Sequence, residues 1–208
     1  DQQIYVSNES VLKVSGLLKI TLLDSLSNVF YSLDLPVEVK GGEVLLVEGV
    51  KSHLPQAVNS YFVDLRLTTN GNEEVIDNFY WLSTEKDVID PDYGNSSWVY
   101  TPNLSFTDLT FIRRLPKAKV SASYSFDESE GLIIGTVRLK NNSDVISFFN
   151  ELTLVDETGD PILPVDWSDN YISLLPLEER LIEIRVSQSL VQGRTPRIVF
   201  NTINSEIE

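Results

Sequence analysis

The sequence predicts an all-β protein built as two consecutive β-sandwiches joined by a short linker, and three observations carry that reading. Apolar and polar residues alternate with a period of two, in stretches that recur about every ten residues with turn residues between them. The alternation stops between Glu85 and Ser97 and resumes near Lys117. No stretch shows the apolar spacing of a long helix. The 208 residues suit two small domains, given that a domain usually takes about 100–150 residues. The boundaries fall at residues 1–84, 85–116 and 117–208.

In the first half, Leu18, Ile20 and Leu22 alternate with Lys19 and Thr21. Val29, Tyr31, Leu33 and Leu35 follow, with Ser32 and Asp34 on the opposite face. Gly41-Gly42 turns the chain into Val44-Leu45-Leu46-Val47. Tyr61, Val63, Leu65 and Leu67 face one way and Asp64, Arg66 and Thr68 the other. Asn70-Gly71 predicts a hairpin, because both residues tolerate positive φ. The returning strand carries Val75, Asp77, Phe79 and Trp81, the last two read as packing residues.

The linker holds Asp87, Asp90, Pro91, Asp92, Gly94 and Asn95, a composition that breaks regular structure. Ser105-Phe106-Thr107-Asp108 resembles a capping box and predicts a helical turn or two ending near Arg113-Arg114. The second sandwich starts with Val120, Ala122, Tyr124 and Phe126, alternating with serines. Ile133, Gly135, Val137 and Leu139 follow a turn at Asp127 to Gly131. Phe148, Leu152 and Leu154 come next, then a turn at Glu157-Thr158-Gly159-Asp160. Short strands over 161–167 and 171–175 flank a polar corner; Ile182, Ile184 and Val186, then 197–203, complete the set. Faces of period two need a second sheet to bury them, so a sandwich is the natural solution.

Composition excludes several functions. There are 16 basic and 31 acidic residues, a net charge of −15, and such a surface repels phosphate backbones, arguing against nucleic acid. It suits solubility first and a cationic glycan second. No run approaches the roughly 20 apolar residues of a membrane span, and Asp1-Gln2-Gln3 lacks the character of a signal peptide. The absence of cysteine removes disulfides, thiolate metal sites and cysteine nucleophiles. His53 is the sole histidine and lies in the loop-like Lys51-Ser52-His53-Leu54-Pro55, which reads as surface rather than catalysis. The acidic turn Asp127-Glu128-Ser129-Glu130 lacks the ordered oxygen spacing of a calcium loop. No metal or cofactor is expected. Asn8, Asn95, Asn103 and Asn141 each begin an Asn-X-Ser sequon, which Asn- and Ser-rich turns explain equally well.

Two blocks carry a family likeness. Asn78-Phe79-Tyr80-Trp81-Leu82-Ser83-Thr84 closes the first pattern, and Trp98-Val99-Tyr100-Thr101-Pro102 approaches the second. Further on come Pro161 to Tyr171 (PILPVDWSDNY) and Ser173-Leu174-Leu175-Pro176-Leu177-Glu178. Together with Val14-Ser15-Gly16-Leu17, they resemble the last two immunoglobulin-like domains of family 2 glycoside hydrolases, above all the exo-β-D-glucosaminidases, with β-mannosidases related. Leu177 stands where that family usually has glycine, and Asp90-Pro91 replaces a more usual Asp-Trp. The resemblance implies two immunoglobulin-like sandwiches that serve a catalytic barrel of the same polypeptide, and a secreted, periplasmic or cell-surface parent. The family's two catalytic glutamates belong to that barrel. Asn8-Glu9, Asn72-Glu73 and Asn150-Glu151 match the Asn-Glu of the family's acid/base only as dipeptides, so no catalytic residue is assigned here.

The candidate glycan contacts are Trp98, Tyr100, Trp167, Asp169 and Asn170. Aromatic faces stack on pyranose rings, and planar polar groups bond their hydroxyls. An ammonium on glucosamine would be favoured by the linker aspartates and by cation–π contact. The plainer roles are packing of the linker for Trp98 and Tyr100, and turn capping for Asp169 and Asn170. Two readings follow: an accessory region of a glycoside hydrolase, or a carbohydrate-binding module acting alone. A cell-surface adhesion pair is a third.

Overall fold

The computed structural model of the chain describes residues 2–71, 75–91 and 102–207. It is all-β and divides into two compact units, residues 1–111 and 112–208.

In the first unit, β1 (Gln3–Ser7), β2 (Val14–Leu23), β3 (Val29–Val39), β4 (Val44–Gly49), β5 (Ser60–Thr69) and β6 (Val75–Ser83) form two sheets. One has the order β3-β2-β5-β6 and the other pairs β1 with β4. Pro36 lies in β3, an edge strand, where its missing N–H leaves no central ladder bond unmade. The core gathers Ile4, Leu18, Ile20, Leu22, Val37, Val50, Tyr61 and Val63, with Leu65 and Leu67 packed on it. This is the face that the alternation assigns to the interior.

The opposite face of β2 and β5 departs from expectation. Asp64 is 2% exposed, and Leu23 and Phe62 are buried with it. The cause is a second cover: Phe62 meets Phe79 at 5.3 Å and Phe111 at 5.5 Å between ring centroids. Asp64 is held by Arg66, whose Nε lies 2.9 Å from Oδ2. A carboxylate can stay at such depth only with a bonded cation.

Described residues 85–91 and 102–111, within the stretch that reads as a linker, cluster with the first unit. Within them β7 (Val88–Ile89) pairs with β8 (Asn103–Ser105). Asp87 accepts the Thr107 N–H at 2.7 Å, and the Ser60 hydroxyl reaches the Asp108 carbonyl. The predicted helical turn is a 3-10 turn over Thr110–Arg114, shorter and later than a capping box at Ser105 implies. Asp108 begins it, its Oδ1 accepting the Thr110 N–H at 2.8 Å.

In the second unit, β9 (Ala118–Ser129), β10 (Leu132–Asn141), β11 (Ser147–Val155), β12 (Asp166–Trp167), β13 (Ile172–Leu174), β14 (Glu179–Ser187), β15 (Arg197–Asn201) and β16 (Ser205–Ile207) form a five-stranded sheet, order β12-β14-β10-β9-β16, and a three-stranded sheet, order β13-β11-β15. One short helix, α1 (Gln188–Val191), follows β14. Both sheets feed one core, which includes Val120, Val137, Leu139, Leu152, Leu154, Ile182 and Ile184. Gly135 is required by packing: a Cβ there would lie 2.6 Å from Ile184 Cγ1 and 2.9 Å from Phe126 Cδ1.

Buried asparagines, with no disulfide to help, fasten the loops. Asn204 accepts from the Phe148 N–H and donates to the carbonyls of Pro116 and Ile146. Asn141 donates to Val145, Leu174 and Leu175. Each side chain thereby gives buried backbone groups a hydrogen-bond partner.

Candidate functional site

The corner at 166–171 is set by the end of the five-stranded sheet. Trp167 pairs with Ile184 across β12 and β14, and its indole packs against the core. Ser168 prolongs the ladder, its N–H donating to the Glu183 carbonyl and its hydroxyl accepting the Glu183 N–H. Asp169 Oδ1 then accepts the Asn170 N–H at 2.8 Å. The other Asp169 oxygen lies 3.8 Å from Arg180 Nη1, and Glu178 holds the same guanidinium at 2.8 Å. Asn170 Oδ1 accepts the N–H of Leu152 at 2.8 Å while its Nδ2 donates to the Leu152 carbonyl at 2.9 Å.

The three described candidates therefore do separate jobs. Trp167 packs, Asp169 starts a turn beside Arg180, and Asn170 ties β11. A recess of about 270 Å³, walled by Asp166, Trp167, Ser168, Glu183 and Arg185, opens beside the indole. Trp98 and Tyr100 lie outside the described residues. The Asn150-Glu151 dipeptide lies in β11, where Asn150 is buried and bonds Ser147 and the Ile172 carbonyl.

Sequence reasoning missed a feature one residue further on. Phe149 and Tyr171 both have φ of 58°, the left-handed region that bulky residues avoid. Their ring centroids are 5.4 Å apart at an interplanar angle of 43°. The pairing of β11 with β13 slips between Ser147 and Asn150, and that irregularity is what sets Phe149 in its unusual conformation. No local signal in the sequence marks it, because the slip depends on a partner strand more than 20 residues away.

Elsewhere in the second unit a cleft of about 920 Å³ runs along Phe126, Glu128, Gln188 and Arg194. Its polar groups bond one another or near neighbours: Gln188 donates to Glu128 at 2.8 Å, and Arg194 lies 3.9 Å from Asp156. Asp156 is held below the ordinary carboxylate range chiefly by the Thr158 hydroxyl, with the backbone of Thr158 and Asp160 and the Arg194 charge adding to it.

In the first unit His53 has closer neighbours than a loop histidine implies. It stacks on Tyr31 at 3.8 Å between centroids, and its Nε2 is 3.4 Å from Glu48 Oε1. The Gly49 N–H and then His53 hold the Glu48 carboxyl low, while burial and then the Glu48 charge push the Tyr31 phenol up. Among the described residues no group of three or more histidine, aspartate or glutamate side chains is arranged to hold a metal.

Two β-sandwich units, with most corner side chains spent on their own turns, define an immunoglobulin-like β-sandwich protein. Residues 98–205 match the family described as the exo-beta-D-glucosaminidase Ig-fold domain, and the chain belongs to that family. The exo-beta-D-glucosaminidase of Streptomyces avermitilis is 32% identical over 211 residues, covering 95% of this chain and 22% of the relative. That of Amycolatopsis orientalis is 30% identical, covering 99% of this chain and 20% of the relative. The solved exo-chitosanase CsxA of Amycolatopsis orientalis superposes on 98% of this chain with a TM-score of 0.86 at 29% identity, using 24% of its own length. A β-D-mannosidase from Dictyoglomus thermophilum, at 12% identity and a TM-score of 0.59, shares the fold. The chain thus spans about a fifth to a quarter of the relatives' length and corresponds to their immunoglobulin-fold portion, not to a catalytic domain.

Proposed function

We propose that this chain is the non-catalytic, C-terminal β-sandwich region of a family 2 glycoside hydrolase of the exo-β-glucosaminidase kind, and that it supports a catalytic barrel in the same polypeptide. The observation that carries this reading is the extent of the likeness: 98% of the chain superposes on one quarter of an exo-chitosanase. The surface of the first unit suits a supporting role. On the outer face of the β1/β4 sheet, Val44 is 63% exposed, Leu46 52% and Tyr5 49%. Leu46 sits opposite Tyr5 and Val44 opposite Ser7, so the apolar side chains share one face. Clustered apolar side chains on a charged protein mark a surface made to be covered.

The test is made in the parent polypeptide. Val44→Glu with Leu46→Glu lowers the melting temperature and the glucosaminidase activity of the whole enzyme, while the isolated chain keeps its own stability. Unchanged stability and activity in the parent would count against the supporting role of this face.

A further inference from the structure

The geometry points to a binding site for a protonated amino sugar on the outer face of the three-stranded sheet, formed by Tyr171, Phe149 and Glu151. It goes beyond the supporting role, which stands or falls separately.

Two bulky residues in the left-handed region each carry strain of order 1 kcal/mol or more. Here both are aromatic, and they face one another. Tyr171 is 51% exposed, so burial of its ring does not repay its conformation. What the conformation does achieve is a tilted pair of rings with an accessible face.

Beside the rings runs a polar row across the sheet. The Tyr171 hydroxyl donates to one oxygen of Glu151 and the Asn201 side chain donates to the other, each at 3.3 Å. Both bonds are long, and both donors are neutral. Among the described residues no lysine or arginine forms an ion pair with Glu151, whereas Asp169 and Glu178 share Arg180 and Glu183 pairs with Arg185. A carboxylate between an aromatic face and an amide, with no cation of its own, offers the complement of an ammonium group. Cation–π attraction operates within about 6 Å of a ring centroid, and a pyranose ring carrying an amine presents an apolar face to the ring together with its charge. A neutral sugar would bring hydroxyl donors to the carboxylate but no charge.

The experiment is an amide-resonance titration of the 208-residue chain with a β-1,4-linked glucosamine tetramer, at a pH where the amines are protonated. Parallel titrations use the N-acetylated tetramer and a neutral glucose tetramer. Saturable shifts at residues 149, 151 and 171 are expected with the amine ligand, weakened by salt. Tyr171→Asn keeps the fold, because asparagine tolerates positive φ, and lowers affinity at least about tenfold, as expected for loss of stacking and cation–π contact together. Glu151→Gln weakens the amine ligand about threefold to tenfold and the neutral tetramers by less. Absence of shifts at millimolar ligand would overturn the site. Equal binding of all three tetramers with Glu151→Gln silent would overturn its preference for an amine.

Discussion

Asn170 serves Leu152 as an extra strand would: its amide oxygen takes the Leu152 N–H at 2.8 Å and its amide nitrogen gives a proton to the Leu152 carbonyl at 2.9 Å. A side chain thereby completes the ladder of β11 at the point where the pairing with β13 has ended.

Asn170→Ala removes both bonds and leaves two backbone groups of a well-packed strand unpaired. Its expected cost is about 1–3 kcal/mol, read as a lower midpoint in urea with an unchanged slope. Asn170→Asp keeps the acceptor and loses the donor, so it falls between the two. If both variants match the wild type, Asn170 is not structural, and its candidacy as a glycan contact gains.

Leu177 has a φ of 62° and is 71% exposed in the turn before β14. The family's usual glycine at this place has a plain explanation, since only glycine takes that conformation without strain. Leu177→Gly therefore stabilises the second unit by about 0.5–1 kcal/mol, the left-handed penalty less the added freedom of the unfolded chain. A fall in melting temperature would refute that account of the turn.

Gly16 answers to a different constraint. A Cβ at this place in β2 would lie 2.4 Å from the Thr68 carbonyl oxygen, a backbone atom of the neighbouring strand. Gly16→Ala must push β2 and β5 apart and costs about 1–3 kcal/mol by overpacking. The loss should appear in the unfolding of the first unit and spare the second, which differential scanning calorimetry resolves if the units melt separately.

Acid stability follows from the depressed carboxylates. Glu48 lies below its ordinary value of 4.5, chiefly through the Gly49 N–H and then His53, and Asp156 lies below 3.8, chiefly through Thr158. A depressed folded value means that the unfolded chain binds more protons, so these groups stabilise above their unfolded values. That contribution is lost as pH falls through the folded values. Glu48→Gln should flatten the fall in stability of the first unit below about pH 4.5. An unchanged acid limb would show that the bond to Gly49 persists in the unfolded chain.

Most of the strands, and the inward faces of those with clear alternation, were legible because period-two patterning is dictated by which side meets the core. Ile20, Leu22, Tyr61, Val63, Val137, Leu139, Ile182 and Ile184 all lie where alternation puts them. Strands β1 and β16 were not, being short and paired with partners far along the chain: β1 with β4, and β16 in parallel with the start of β9. The burial of Phe62 escaped as well, because Phe111, which meets it, comes from a stretch that reads as linker. At the corner, the turn chemistry of Asp169 and Asn170 was readable from residue type. The tilt of Phe149 against Tyr171 was not, since it arises from a slip in register between strands.

The central claim, that this chain supports catalysis without performing it, is tested most directly with an aryl β-D-glucosaminide. The purified chain is assayed alone and then mixed with the remainder of its parent polypeptide. The account predicts no turnover by the chain alone, and a rise in the activity or melting temperature of the remainder when the two are combined. Turnover by the clean chain would contradict it.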